Sequence, residues 1–143
     1  MSRKVLVTGY TGFIGSHLAR ALVGKGYLVL GTGRQSEHVG YDFSKIPPHK
    51  LRGVSAVFHQ AANNDTQSSD RENMNEVNYD KPADLFNQAY DAGCRNFIYA
   101  STAAIYGKQN IPWYEDALPE PLTQYAISKL HFEDFADEFS CRK

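Results

Sequence analysis

The sequence predicts an α/β fold, a doubly wound parallel sheet with helices on both faces. Short aliphatic runs alternate with amphipathic helical stretches along the chain, an order that predicts parallel strands joined by right-handed crossovers. The run Tyr27 to Thr32 alternates too little to be half exposed, as expected of a parallel strand covered on both faces. A glycine-rich turn separates the first run from the first helix, the context in which such turns bind phosphates.

Lys4 to Thr8, β-branched and aliphatic, is the first expected strand. Phe13 to Lys25 follows as a helix, with Ile14, Leu18, Ala21 and Leu22 on one apolar face and Gly26 as its stop. Tyr27 to Thr32 is the second strand. From Gly33 to Pro48 the chain is polar and broken by Gly40, Pro47 and Pro48; a short strand is expected near Val39-Gly40-Tyr41 and loop elsewhere. Val54 to His59 is the next strand, Asn73 to Ala92 a helix, and Asn96 to Ser101 another strand. The last helix is expected from Thr123 to Phe139, with Tyr125, Leu130, Phe132, Phe135 and Phe139 turned inward or half-buried. The most polar stretch, Asn63 to Arg71, follows a strand's carboxyl end, the edge at which doubly wound sheets bind ligands.

The 143 residues suit one domain with a hydrophobic core. Hydrophobic residues at 42% and charged residues at 22% are ordinary for a soluble globular chain. A formal charge of -1 implies no basic surface, which argues against nucleic acid as a partner. No apolar run approaches the ~20 residues of a bilayer span, so no membrane association is expected. The amino terminus lacks the apolar stretch of a secretory leader, and a cytoplasmic setting is expected. Cys94 and Cys141 are far apart and lack metal-ligand spacing; both read as free thiols, and no metal is expected.

In Gly9-Tyr10-Thr11-Gly12-Phe13-Ile14-Gly15 each glycine has a physical task. Gly9 permits the tight exit from the strand, Gly12 lets backbone approach a pyrophosphate, and Gly15 lets the helix pack closely on the sheet. The helix N-terminus adds unpaired N–H groups and the positive end of its dipole. A merely tight turn is the plain alternative, and the placement between strand and helix favours nucleotide binding.

Tyr125 and Lys129 stand four apart, one turn from each other on one helix face. A tyrosine is a poor base at neutral pH, and an ammonium one turn away favours its phenolate. Ser101 and Thr102, at the carboxyl end of a strand, are the candidates for a hydroxyl that hydrogen-bonds the substrate oxygen.

Taken together, these strings resemble the extended short-chain dehydrogenases, the NAD-dependent epimerase/dehydratase family, with a Rossmann-type fold. Thr8-Gly9 through Gly15, Asn96 through Gly107 and Pro119 through Lys129 carry the resemblance in the family's order, and it runs from Lys4 to about Phe139. It implies a sugar-nucleotide epimerase or dehydratase that moves a hydride between a sugar carbon and the nicotinamide of NAD or NADP and later returns it. By the same resemblance Thr102 is the catalytic hydroxyl with Ser101 its alternative, Tyr125 the general acid or base, and Lys129 its partner and a ribose contact. Gly9, Gly12, Phe13, Ile14 and Gly15 would line the pyrophosphate. Asp42 and Phe43 match the pair that contacts adenine, although Asp42 also reads as a turn aspartate. Ala61 and Ala62, in His59-Gln-Ala-Ala62, match the small residues that let backbone approach the cofactor. Asn78 matches a helix asparagine read as structural.

Among subfamilies, the stretch from His59 to Lys129 is most similar to heptose-nucleotide 6-epimerases. One departure bears on the cofactor. Members that prefer NAD end the second strand in an acid that bonds the ribose diol, and here Gly33 stands there with Arg34 next. An arginine removes repulsion and offers a fork to a 2′-phosphate, so NADP is favoured over NAD. Family members are longer and add a smaller C-terminal domain that grips a nucleotide sugar, and they often pair as homodimers. This chain is therefore expected to hold an incomplete NAD(P)-binding domain over residues 1–143, truncated before the substrate domain. The competing expectation is a non-catalytic dinucleotide-binding module that needs a partner chain.

Overall fold

The computed structural model describes residues 3–33, 42–108, 112 and 114–141. In chain order the regular elements are β1 (Lys4–Thr8), α1 (Phe13–Gly24), β2 (Leu28–Thr32), α2 (Pro48–Leu51), β3 (Val54–His59), α3 (Arg71–Asn75), α4 (Lys81–Asp91), β4 (Phe97–Tyr99) and α5 (Gln124–Cys141). Two 3-10 turns, Phe43–Lys45 and Ala103–Tyr106, and a π-helical stretch, Glu76–Asp80, complete them. The chain divides into two compact units: Met1–Ala62 with Asp84–Ala100, and Asn63–Ala83 with Ser101–Lys143.

The first unit is the expected parallel sheet, in the order β2-β1-β3-β4. Period-two alternation along β1 feeds both faces. Leu6 joins Val54, Val57, Ile46, Leu51, Leu85, Ala89 and Cys94 on one side, while Val5 and Val7 meet Leu22 on the other, with Leu18, Val29 and Phe58 packed alongside. Lys4 donates its ammonium to the carbonyls of Lys50 and Arg52, closing the end of α2 with a cation.

Three expectations are corrected here. The buried side of α1 is Gly15, Ala19 and Leu22 with Leu18, whereas Ile14 is 64% exposed and Ala21 also faces outward. Close passage of Gly15 over the turn fixes the helix rotation and overrides the simple apolar stripe. The second strand is not covered along its length: β2 is outermost among the described strands, and Leu28 at its start is 60% exposed. The polar segment after Gly33 is not all loop. Asp42 takes the Ser44 N–H and starts a 3-10 turn, and Pro48 opens α2 at its first turn, where a missing N–H costs nothing. The expected strand at Val39-Gly40-Tyr41 lies outside the described residues.

The helix expected from Asn73 to Ala92 starts earlier, because Asp70 accepts the Asn73 N–H at 3.0 Å as an N-cap, and it is interrupted by the π-helical stretch. In the second unit α5 packs against α3, the π-helical stretch and the 3-10 turn Ala103–Tyr106. Met74, Val77, Ile105, Ala126 and Phe132 are its buried apolar residues. Gly107, at φ 63°, could carry no side chain: a Cβ there would stand 2.1 Å from the Glu120 carbonyl oxygen. Among the described residues no helix is long and apolar enough to cross a membrane.

The carboxyl edge of the sheet is held by one hydroxyl. Buried Thr8 accepts the N–H groups of Gln60 and Ala61, each at 3.1 Å, and lies 2.9 Å from His59 Nδ1. With both lone pairs taken, its single proton goes to Nδ1, so His59 is the Nε2–H tautomer. Replacing Thr8 with Val strands two N–H groups and a ring nitrogen, and the expected loss is about 1–3 kcal/mol in urea unfolding. Thr8→Ser should retain most of that stability; equal losses in the two variants would show that the hydroxyl is not what holds the edge.

Candidate active site

In the glycine turn, three backbone segments converge without side chains between them. Gly9 sits at φ 66°, and a Cβ on it would lie 2.9 Å from the Ala61 nitrogen. A Cβ on Gly15 would lie 2.1 Å from the Gly9 carbonyl oxygen. Gly12 N–H donates to that same oxygen at 2.9 Å, closing the turn, and Gly12 then serves as N-cap of α1. No side chain caps the helix and no acid occupies its first turn, so its first N–H groups present a positive end suited to an anion. Phe13 and Ile14, both exposed, flank that end. The cradle therefore fits the pyrophosphate of a dinucleotide, which needs backbone N–H groups and no intruding Cβ.

The neighbouring positions are arranged as follows. Ala61 and the adjoining Ala62 follow β3, with Ala61 backbone against Gly9. Asp42 uses a carboxylate oxygen on Ser44, and Phe43 stands edge-on to His59 at 5.0 Å between ring centroids. A Cβ at Gly33 would meet Thr11 Oγ1 at 2.6 Å, so an acid there would require the Thr11 side chain to turn. Arg34 lies outside the described residues.

In the second unit, α5 brings Tyr125 and Lys129 onto one stripe. Lys129 is 2% exposed, and its Nζ lies 6.0 Å from the centre of the Tyr125 ring. Burial pushes the ammonium down from its ordinary 10.5 to about 8, and the Glu133 carboxylate works in the opposite direction. Thr102 accepts the Ala104 N–H at 3.2 Å as cap of the 3-10 turn, which leaves its hydroxyl proton to be donated. Ser101 donates instead to the Glu133 carboxylate. That bond occupies the proton Ser101 would need and leaves Thr102 the better-placed hydroxyl of the two.

Asn78 secures the same unit from the π-helical stretch. Its amide oxygen accepts Asn63 N–H at 2.8 Å, and its NH2 donates to Asn63 O at 2.9 Å and to Ser128 Oγ at 3.0 Å. Ser128 in turn donates to the Tyr125 carbonyl at 2.8 Å. Sequence reasoning missed Glu133, although its spacing of four from Lys129 put it on the same stripe. It also missed the Thr8–His59 bond, which only strand register reveals: Thr8 pairs with His59 across β1 and β3. Among the described residues no cluster of His, Cys, Asp or Glu suits a metal, and Cys94 is a buried free thiol.

Comparison with known proteins adds the following. Residues 5–141 match the family described as NAD dependent epimerase/dehydratase. The chain is 30% identical to the ADP-L-glycero-D-manno-heptose-6-epimerase of Brachyspira hyodysenteriae, an alignment over 94% of this chain and 48% of that protein. Among solved structures it is similar to MoeE5 in complex with UDP-glucose and NAD, at 32% identity and TM-score 0.87, over 95% of this chain and 48% of the other. A UDP-glucuronic acid 4-epimerase from Bacillus cereus in complex with NAD matches at 28% identity and TM-score 0.82, over 95% and 52%. The chain thus spans about half the length of the relatives it matches.

The buried ammonium predicts a pH dependence. The unfolded chain keeps Lys129 protonated to near 10.5 and the folded chain only to about 8, so the unfolded state binds more protons between those values. Stability therefore gains from this group as pH rises through that window. Urea midpoints of the wild type should climb relative to Lys129→Met between pH 8 and 10. A difference that stays flat across that range would contradict the burial of a titrating lysine.

Proposed function

The chain belongs to the NAD-dependent epimerase/dehydratase family, and on that premise we propose that it carries the dinucleotide site and acid–base residues of a nucleotide-sugar epimerase or dehydratase. The observation that carries this reading is the buried Lys129 ammonium beside the Tyr125 ring, an arrangement that a binding module has no need of. The turn from Gly9 to Gly15 and the open end of α1 would hold the pyrophosphate. When bound, a nicotinamide dinucleotide supplies the hydride acceptor. Tyr125 takes the proton of a sugar hydroxyl at its phenolate oxygen as the carbon beneath is oxidised, and returns it on the reverse step. Lys129 sets a positive charge beside the Tyr125 ring and would contact the ribose hydroxyls. Thr102 donates to the same substrate oxygen.

The nucleotide sugars and NAD named in the relatives' complexes support a substrate and cofactor of that chemical class. Within the class, Gly33 in place of an acid and Arg34 beside it favour NADP, against the NAD of those complexes. The smaller substrate-gripping domain of the family and its pairing into homodimers belong to the same reading.

Calorimetric titration of the 143-residue chain with NADP and with NAD tests the site. Binding is expected for the wild type and for Tyr125→Phe, and loss of binding for Gly15→Ala; a Gly15→Ala chain that binds normally would remove the glycine turn from the site. Arg34→Ala should weaken NADP far more than NAD, and equal losses would leave no role for it in selecting NADP. With a C-terminal substrate domain supplied, turnover of a nucleotide sugar should appear in the wild type and vanish in Tyr125→Phe, whereas persistence of turnover there would rule out Tyr125 as the acid–base group.

A further inference from the structure

Tyr125, Lys129 and Glu133 recur at intervals of four along α5, so the three side chains share one stripe of the helix. The third of them faces the segment that leaves β4: the Ser101 hydroxyl donates to a Glu133 carboxylate oxygen. Ser101 immediately precedes Thr102, whose own oxygen is fixed by the Ala104 N–H. A carboxylate is an acceptor with more than one lone-pair site, and a bond from a neutral hydroxyl to a charged oxygen is among the stronger kinds.

We infer that Glu133 is a positioning residue for the acid–base set: its carboxylate ties Ser101, and through it Thr102, to the helix that carries Tyr125, and supplies the counter-charge to the buried Lys129 ammonium. The inference rests on the reading of Thr102, Tyr125 and Lys129 given above. Glu133 touches no substrate in this role. Its effect is exerted through two neighbours, one held by a hydrogen bond and the other by charge. Burial alone would carry Lys129 further toward the neutral amine, which could not stabilise a phenolate, and the Glu133 charge resists that change. Other titratable groups on the elements packed against α5 are Arg71, Glu72, Glu76, Tyr79, Asp80 and Tyr106. Of these Arg71, Glu72, Glu76 and Asp80 are exposed, and Glu76 is paired with Lys81 at 2.8 Å. On α5 itself His131 is edge-on to Tyr79.

Three variants of the 143-residue chain separate the two effects. Lys129 is titrated through its side-chain 13C and 15N NMR signals, assigned by their loss in Lys129→Met, while the methyl and amide signals of Thr102 report its placement. Glu133→Gln, which keeps an acceptor but no charge, should lower the Lys129 midpoint by about half a unit or more and leave Thr102 near its wild-type shifts. Glu133→Ala should move both. Ser101→Ala should move the Thr102 signals and leave the Lys129 midpoint in place. A Lys129 midpoint unchanged in Glu133→Gln, or Thr102 signals unmoved in Ser101→Ala, overturns the proposal. If Glu133→Ala does not fold, the other two variants still decide it. None of these readouts needs a dinucleotide or a nucleotide sugar, so a failure here and a failure of the proposed function are told apart.

Discussion

Where the chain leaves β1, the Gly9 carbonyl comes so near the path of α1 that position 15 has no room for a Cβ. That closeness sets the rotation of the helix on the sheet. It buries Gly15, Ala19 and Leu22 with Leu18 alongside, and it turns Phe13 and Ile14 outward at the helix start. The same turn presses Gly9 against the backbone of Ala61, which is held from below by the Thr8 hydroxyl. Sheet edge, turn and helix start are thus fixed by contacts between backbone atoms, where a single added carbon would force them apart. A surface so built offers N–H groups without side-chain bulk, and that is the physical demand a pyrophosphate makes.

The second unit solves a different problem, that of keeping polar groups in a buried place. Asn78, Ser128 and Lys129 are each at most 2% exposed. An unmade hydrogen bond at such depth costs more than a made one gains, so satisfaction has to be nearly complete. Asn78 meets it with three bonds to backbone and hydroxyl, and Ser128 passes the chain of bonds on to the carbonyl of Tyr125. Burial of Lys129 weakens its own charged form, and the nearby carboxylate offsets part of that loss. Tyr125 and Lys129 therefore stand on a polar network whose members have little freedom to rearrange.

Strands β1 and β3 were legible to the residue, because β-branched runs bounded by glycine and polar residues leave little choice. The glycine turn and the Tyr125–Lys129 spacing were legible too, since both are properties of contiguous residues. What escaped the sequence depends on tertiary distance. The apolar stripe through Ile14 and Ala21 looked as good as the true one, and only the approach of Gly15 to Gly9 decides between them. Exposure at Leu28 follows from strand order, which no local pattern encodes. Pro47 and Pro48 read as breakers, yet a proline at a helix start is an initiator, and α2 begins there. The resemblance put Thr102 ahead of Ser101, but the physical difference between them was not legible, because the carboxylate that engages Ser101 lies on another element.

The π-helical stretch at Glu76–Asp80 gives the run from Arg71 to Asp91 one residue more than an unbroken α-helix of the same turns would hold. The extra residue is absorbed locally as a wider turn. Excising one residue would relax the wider turn into ordinary α winding, with the residues beyond it keeping nearly the same phase. The cost of such a deletion would fall inside the stretch itself, on buried Val77 and Asn78 and on the bonds by which Asn78 holds Asn63 and Ser128.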